Sequence, residues 1–116
     1  MNNQFDSKIL EDNVQIISIG RSLDDSNAHI LLEQLERAID GNFSHIYLDL
    51  KNCELLSSSG VGAIISNVEA ARAAGGEVTL LQPSEAVMTI LHALGLLSVL
   101  KIQETPISGL KGVVPK

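Results

Sequence analysis

Residues 55–64 form the most informative part of the sequence and read Leu55-Leu56-Ser57-Ser58-Ser59-Gly60-Val61-Gly62-Ala63-Ile64. From Val61 to Ala74, apolar side chains occur on almost every side of a helical wheel, which predicts a largely buried helix. Gly75 and Gly76 predict the end of that helix. The run of serines is therefore placed at the N-terminus of a buried helix.

Strand-like and helix-like segments alternate on both sides of this helix. Aliphatic and β-branched runs predict strands, and apolar residues three or four positions apart predict helices. The predicted strands are Phe5–Leu10 at the sheet edge, Val14–Ile19, His45–Leu50, Val78–Leu81 and Ser98–Ile102, and the other predicted helices are Ser26–Asp40 and Glu85–Leu94. Asp25 or Ser26 is expected to cap the first helix. Strands separated by helices imply parallel pairing, so we expect an α/β fold with four or five short strands.

The length and composition indicate one small globular domain. The chain has 116 residues, and a hydrophobic fraction of 45% argues against disorder. Aromatic residues make up only 3%, so the core is expected to be aliphatic. We expect a single domain over residues 1–116, with its core at about 5–102 and a loose C-terminal tail over 103–116.

The charge and the single cysteine exclude several classes of protein. Lys and Arg total 8 and Asp and Glu total 14, giving a net charge of -6. Binding nucleic-acid phosphates needs the opposite sign, so we expect no direct nucleic-acid contact. No apolar run is long enough to insert into a membrane and the N-terminus lacks a signal-peptide pattern, so a cytoplasmic protein is expected. Cys53 alone supports neither an internal disulfide nor a multi-cysteine metal site, and it is predicted to be a small buried side chain.

The serines before the predicted helix are the candidate site for chemistry. The free N–H groups and the dipole at a helix N-terminus favour negative charge, so a phosphate on or beside a serine is physically reasonable there. Gly60 and Gly62 are expected to leave the surface open to close approach. The simpler interpretation is that a serine only caps the helix and the glycines ease packing.

Common catalytic motifs are missing from the same segment. It has no Gly-x-Ser-x-Gly nucleophile elbow, no lysine of a phosphate-binding loop and no third glycine of a dinucleotide fingerprint. The three histidines have no second ligand at metal spacing. Ser58, His92 and Asp49 supply the residue types of a serine hydrolase triad, but no sequence pattern places them together.

The segment 55–64 resembles the signature of STAS domains, in particular of the single-domain anti-sigma factor antagonists. Three further stretches are similar to family motifs, namely the Gly20 turn with Leu23-Asp24, Gly75-Gly76-Glu77-Val78 and Leu94-Gly95-Leu96. The Gly20 turn has one residue more than the family pattern. The resemblance spans about residues 5–102 and implies a small mixed sheet of four or five strands flanked by helices.

The resemblance also implies a mechanism of partner switching. The unmodified family member binds an anti-sigma factor that is also a serine kinase of the GHKL ATPase type, phosphorylation separates them, and a serine phosphatase resets the system. The position of the family's acceptor serine is Ser58 here, with Ser57 and Ser59 as less favoured acceptors. The implied partner-binding residues are Asp24, Ser57, Ser58, Ser59, Gly60, Val61 and Gly62.

The implied domain needs no catalytic residue and no cofactor, since ATP and magnesium belong to the kinase, and we expect a monomer. Two other functions stay open. One is a STAS subunit of an ABC-type lipid transport complex, which docks on its ATPase without a phosphate cycle. The other is a serine hydrolase that uses Ser58.

Overall fold

The computed structural model describes residues 4–10, 13–43 and 45–106. Its elements, in chain order, are β1 (Asp6–Leu10), β2 (Val14–Ser18), β3 (Ser22–Leu23), α1 (Ala28–Asp40), β4 (His45–Asp49), β5 (Leu55–Leu56), α2 (Ser58–Ala73), β6 (Glu77–Leu81), α3 (Glu85–Ala93) and β7 (Lys101–Gln103). The expected α/β architecture is confirmed. No helix within the described ranges is long and apolar enough to cross a membrane.

Five strands form one mixed sheet in the order β1-β2-β4-β6-β7. β1 pairs with β2 in the antiparallel direction, which confirms the predicted edge strand. The pairs β2–β4, β4–β6 and β6–β7 are all parallel. Parallel neighbours need a crossover connection, and α1, α2 and α3 supply it.

The three helices pack against one face of the sheet. The main core joins Ile17, Leu48 and Leu80 of the central strands to Leu35 of α1 and Ile64 of α2, and each is at most 1% exposed. Side chains alternate along a strand, so the next residues face the other way. The opposite face carries a smaller cluster made of strand residues alone: Leu10, Ile16, Tyr47 and Leu81.

The first helix begins later than the sequence predicts. α1 starts at Ala28 after Asn27, so neither Asp25 nor Ser26 caps it. The Asn27 side chain accepts a hydrogen bond from the Asp24 N–H at 2.9 Å and donates to the Ser22 carbonyl at 3.0 Å. These bonds hold the residues before α1 in a turn, which delays the helix.

The last strand is shorter and shifted. It begins at Lys101 and not at Ser98, because the N–H groups of Val99 and Leu100 both donate to the Leu96 carbonyl and form a turn. Gln103, predicted to open the tail, is the last residue of β7. Residues 104–106 of the predicted tail follow β7, and the tail from position 107 onward lies outside the described residues.

Cys53 is a buried side chain, as predicted. It is 0% exposed and its thiol donates to the Leu55 carbonyl at 3.4 Å. Burial raises the pKa of the Cys53 thiol, which opposes thiolate formation. Its carbonyl accepts a hydrogen bond from the Ser84 hydroxyl, which also caps α3. Cys53 therefore belongs to the packing between the β4–β5 loop and α3.

His45 lies half-buried at the start of β4. Its Nε2 is 2.8 Å from Thr79 Oγ1, and its ring stacks on Tyr47 with the centroids 4.3 Å apart. Burial lowers the pKa of His45; nearby Glu77 acts against this and nearby Lys101 adds to it. The folded protein therefore favours the neutral imidazole.

We expect the free energy of unfolding to decrease as the pH falls below about 6.5, the ordinary pKa of histidine in an unfolded chain. Because the folded pKa of His45 is lower, protons bind the unfolded state first, and the stability is full only above that pH. Urea denaturation at pH 7.5 and pH 5 measures the loss. The loss should be smaller in His45→Gln, and an equal loss in both proteins would contradict this origin.

Candidate functional site

The N-termini of α1 and α2 lie side by side at one edge of the sheet. β2 and β4 are parallel neighbours, so the loops that leave their carboxyl ends run together. These loops pair as the two-residue strands β3 and β5. The Glu54 N–H donates to the Arg21 carbonyl at 2.7 Å, and the Ser57 N–H donates to the Leu23 carbonyl at 2.9 Å. The hydrophobic pattern of the sequence did not predict this second sheet, because two-residue strands leave no periodic pattern.

Ser57 is the capping residue of α2. Its Oγ accepts a hydrogen bond from the Gly60 N–H at 3.2 Å, and its backbone is extended. Such a cap satisfies one of the N–H groups that a helix start leaves without a partner. The simple capping interpretation is therefore correct for Ser57. Neither Ser58 nor Ser59 caps α2.

Replacing Ser57 with alanine is expected to lower the free energy of unfolding by about 1 kcal/mol, the usual value of a serine cap. Ser57→Asp is the matched control, because aspartate also caps helices and its charge is favourable at an N-terminus. It should retain at least the original stability in urea denaturation. If Ser57→Ala and Ser57→Asp unfold at the same urea concentration, the cap contributes nothing.

Ser59 is tied to the loop before α1. Its hydroxyl donates a hydrogen bond to Asp25 Oδ1 at 2.6 Å, and both side chains are exposed. The bond joins the first turn of α2 to the loop between β3 and α1. The sequence did not indicate a site role for Asp25, because its position beside Ser59 follows from the pairing of β3 with β5.

Ser58 is exposed, and its hydroxyl has no hydrogen-bond partner among the described residues. It is the first residue of α2, where the backbone N–H groups lack intrahelical partners and the helix dipole is positive. Of the three serine side chains, the one best placed to carry an added anion is that of Ser58.

Asp24 is held within its own turn. Its Oδ1 accepts hydrogen bonds from the Ser26 hydroxyl at 2.6 Å and from the Ser26 N–H at 3.0 Å. These bonds, with the hydroxyl contributing most, lower the pKa of Asp24. The turn places the neighbouring residue, Asp25, against the serines. Asp24 is thus next to the site and shapes its loop.

The glycines of the site have different surroundings. A Cβ on Gly60 would lie 2.8 Å from the Leu23 carbonyl oxygen and 3.0 Å from Leu56 Cδ1, so only glycine allows α2 to approach the β3–β5 sheet. Gly60 is buried, contrary to the expectation that it opens the surface. Gly62 is exposed and has open space at the Cβ position. Val61 is also buried, at 9% exposure.

The structure does not assemble the residues that a serine hydrolase needs. Asp49 lies two positions after Tyr47 on β4, so its side chain is on the sheet face away from the helices. It forms an ion pair with Lys51 at 2.6 Å. His92 is exposed in the last turn of α3, whereas Ser58 starts α2. Each helix connects two parallel strands, so it begins at the carboxyl ends of the strands and ends at their amino ends. Ser58 and His92 therefore lie at opposite ends of the sheet.

The family model for the STAS domain matches residues 7–107. The chain therefore belongs to the STAS domain family, and the resemblance seen in the sequence is confirmed.

Proteins from several bacteria are similar to this chain in sequence or in structure. A protein from Paenibacillus polymyxa named anti-sigma F factor antagonist is 28% identical over 98 residues, which are 84% of this chain and 84% of the relative. The crystal structure of a candidate anti-sigma factor antagonist from Thermotoga maritima has a TM-score of 0.79 and 27% identity, covering 90% of this chain and 88% of the other.

The anti-sigma factor antagonist SpoIIAA has been solved in two chemical forms. Its unphosphorylated form has a TM-score of 0.75 and 21% identity, covering 85% of this chain and 87% of SpoIIAA. Its phosphorylated form, from Bacillus, has a TM-score of 0.69 and 20% identity, covering 85% of this chain and 90% of SpoIIAA. Both forms share the fold of this chain.

Proposed function

We propose that this chain is an anti-sigma factor antagonist that acts by partner switching. The unphosphorylated chain binds an anti-sigma factor that is also a serine kinase of the GHKL ATPase type. Phosphorylation of Ser58 releases the complex, and a serine phosphatase restores the binding form. The main support is the Ser58 hydroxyl, which is exposed and has no hydrogen-bond partner among the described residues. It occurs in a chain whose relatives are named anti-sigma factor antagonists.

The surroundings of the three hydroxyls support Ser58 as the acceptor. Ser57 uses its oxygen to cap α2, and Ser59 donates to Asp25. In the transfer step, the Ser58 Oγ forms a bond to the γ-phosphorus of ATP, and the bond from that phosphorus to ADP breaks. The hydroxyl proton passes to a base of the kinase.

The position of Ser58 explains how a phosphate changes binding and leaves the fold intact. A phosphoserine carries a charge of about -1.5 to -2 at neutral pH. The positive end of the α2 dipole stabilises that charge, so we expect the helix to stay folded after phosphorylation. A partner packed over the helix start, however, has to accommodate and desolvate the phosphate.

The proposed contact surface consists of the exposed residues at this helix start, Ser58, Ser59 and Gly62, with Asp24 beside them. Gly60 and Val61 are buried and support that surface from below. Ser57 fixes the first turn of α2. We thus assign the predicted partner-binding residues to two roles, direct contact and positioning.

The proposal also assigns the chemistry to the partners. ATP and magnesium bind the kinase, and this chain acts as a monomeric binding module in the cytoplasm. Its net charge of -6 opposes contact with DNA phosphates, so any effect on transcription passes through another protein.

Affinity purification of the chain from the bacterium that encodes it tests the proposal. We expect a serine kinase to co-purify, and we expect that kinase with ATP to place one phosphate on Ser58, as read by mass spectrometry. A purified complex in which no residue from Ser57 to Ser59 gains phosphate would contradict the switch. Recovery of an ABC-type ATPase without a kinase would support the lipid transport subunit.

A further inference from the structure

The adjacent residues Ser58 and Ser59 have different electrostatic surroundings. The Ser59 Oγ lies 2.6 Å from Asp25 Oδ1, whereas the Ser58 hydroxyl has no partner in the described part of the chain. Asp25 forms no ion pair with a cation of the described residues. Among the described residues, no nitrogen of a lysine, arginine or histidine side chain lies within 4 Å of this carboxylate.

The segments on both sides of the Asp25–Ser59 contact are held in place by hydrogen bonds. Asp24 binds Ser26 through its side chain, and its N–H donates to the Asn27 side chain. On the other side, the Ser57 N–H binds the Leu23 carbonyl. Both ends of the Asp25–Ser59 bond thus belong to segments fixed by other hydrogen bonds.

We infer that Asp25 is a specificity-determining residue that excludes Ser59 from phosphorylation and leaves Ser58 as the single acceptor. The inference rests on the proposed function and names a residue that controls the same site. It explains how one of two adjacent serines is selected, although both are exposed at the start of α2.

The chemistry of phosphoryl transfer gives the reason. The γ-phosphoryl group of ATP brings negative charge to the accepting oxygen, and the hydroxyl proton has to leave for a base of the kinase. The Ser59 hydroxyl donates to Asp25 Oδ1 at 2.6 Å, so this hydrogen bond has to break before a base of the kinase can accept the proton, and the carboxylate repels the incoming group. At Ser58 the helix dipole favours the incoming charge.

The test removes Ser58 and asks whether Ser59 is used instead. Ser58→Ala and the double variant Ser58→Ala/Asp25→Asn are produced in the encoding bacterium beside the wild-type chain, and phosphopeptides are quantified by mass spectrometry. Asparagine has the size of aspartate and lacks its charge, and thermal unfolding verifies that both variants are folded. We expect at least tenfold more Ser59 phosphate in the double variant than in Ser58→Ala.

Ser58→Ala/Glu33→Gln is the charge control, because Glu33 is an exposed carboxylate within α1, whereas Asp25 lies in the loop before it. It should show no gain of Ser59 phosphate. Ser58 phosphate in the wild type together with equal Ser59 phosphate in all variants would overturn the role of Asp25 and support the proposed function. A wild-type chain that never carries phosphate on Ser58 would overturn both.

Discussion

Ser58→Asp is expected to weaken the complex with the anti-sigma kinase at least tenfold, whereas Ser58→Ala should bind as the unmodified chain does. Ser58 is exposed at the first position of α2 and sits in the proposed contact surface. A new carboxylate there has to lose water when the partner docks. A tenfold change corresponds to about 1.4 kcal/mol, which is a modest cost for one badly placed charge.

The effect should arise in the interface and not in the fold. Acidic side chains in the first turn of a helix are stabilising by about 0.3–1 kcal/mol, and the first turn of α2 contains none. Ser58→Asp should therefore melt at the wild-type temperature or slightly above it. Loss of binding by an equally stable protein is the signature of a surface switch.

Isothermal titration calorimetry with the co-purified kinase measures the two affinities. Ser98→Asp is the matched control for added charge, since Ser98 is exposed in the turn between α3 and β7, at the other end of the sheet. It should bind like the wild type. Equal affinity of Ser58→Asp and Ser98→Asp would show that the start of α2 does not contact the kinase.

Gly60→Ala is expected to lower the free energy of unfolding by about 1–3 kcal/mol, the usual cost of forcing atoms into a packed site. The added methyl group would come within 2.8 Å of the Leu23 carbonyl oxygen and 2.9 Å of Leu23 Cγ. Alanine is better than glycine in a helix by about 1 kcal/mol, but this gain does not remove a clash with backbone. The melting temperature should fall by roughly 4–12 °C.

Gly62→Ala is the control in the same turn of the same helix. Its Cβ would meet no atom within 4 Å, so only the helix propensity changes, and the variant should be as stable as the wild type or more stable. Differential scanning calorimetry of the two variants gives the comparison. If both glycines tolerate alanine equally, α2 does not depend on its contact with β3.

The secondary structure was largely predictable because hydrophobic periodicity reflects burial. The edge strand β1 and the parallel order of the sheet agree with the sequence. The prediction of a largely buried α2 was wrong, since only seven of its 16 residues are buried and small residues such as Gly62, Ser66 and Ala70 face solvent. The boundaries were less accurate where local hydrogen bonds, to a side chain or to a backbone carbonyl, form a turn. Asn27 and Leu96 show this, since their hydrogen bonds delay α1 and β7 and neither changes the hydrophobic pattern.

The candidate site was found in the sequence, but the roles of its residues were not. The family resemblance favoured Ser58 over Ser57 and Ser59, but the residues themselves did not distinguish the three serines, and Asp25 was predicted as a possible helix cap. In the structure Ser57 caps α2, Ser59 binds Asp25 and Ser58 has no partner among the described residues. The Ser57 cap is a local bond, but the bond between Ser59 and Asp25 joins residues 34 positions apart, which no local pattern encodes.

The sequence by itself determined the α/β class, the membership in the STAS family and the position of a serine-rich helix start, because each depends on residue type and spacing along one segment. Tertiary structure alone decided that β3 and β5 pair, that Gly60 is buried under Leu23 and that Asp25 reaches Ser59. Parallel strands bring the ends of distant segments to one edge of the sheet, and the contact between Asp25 and Ser59 forms only there.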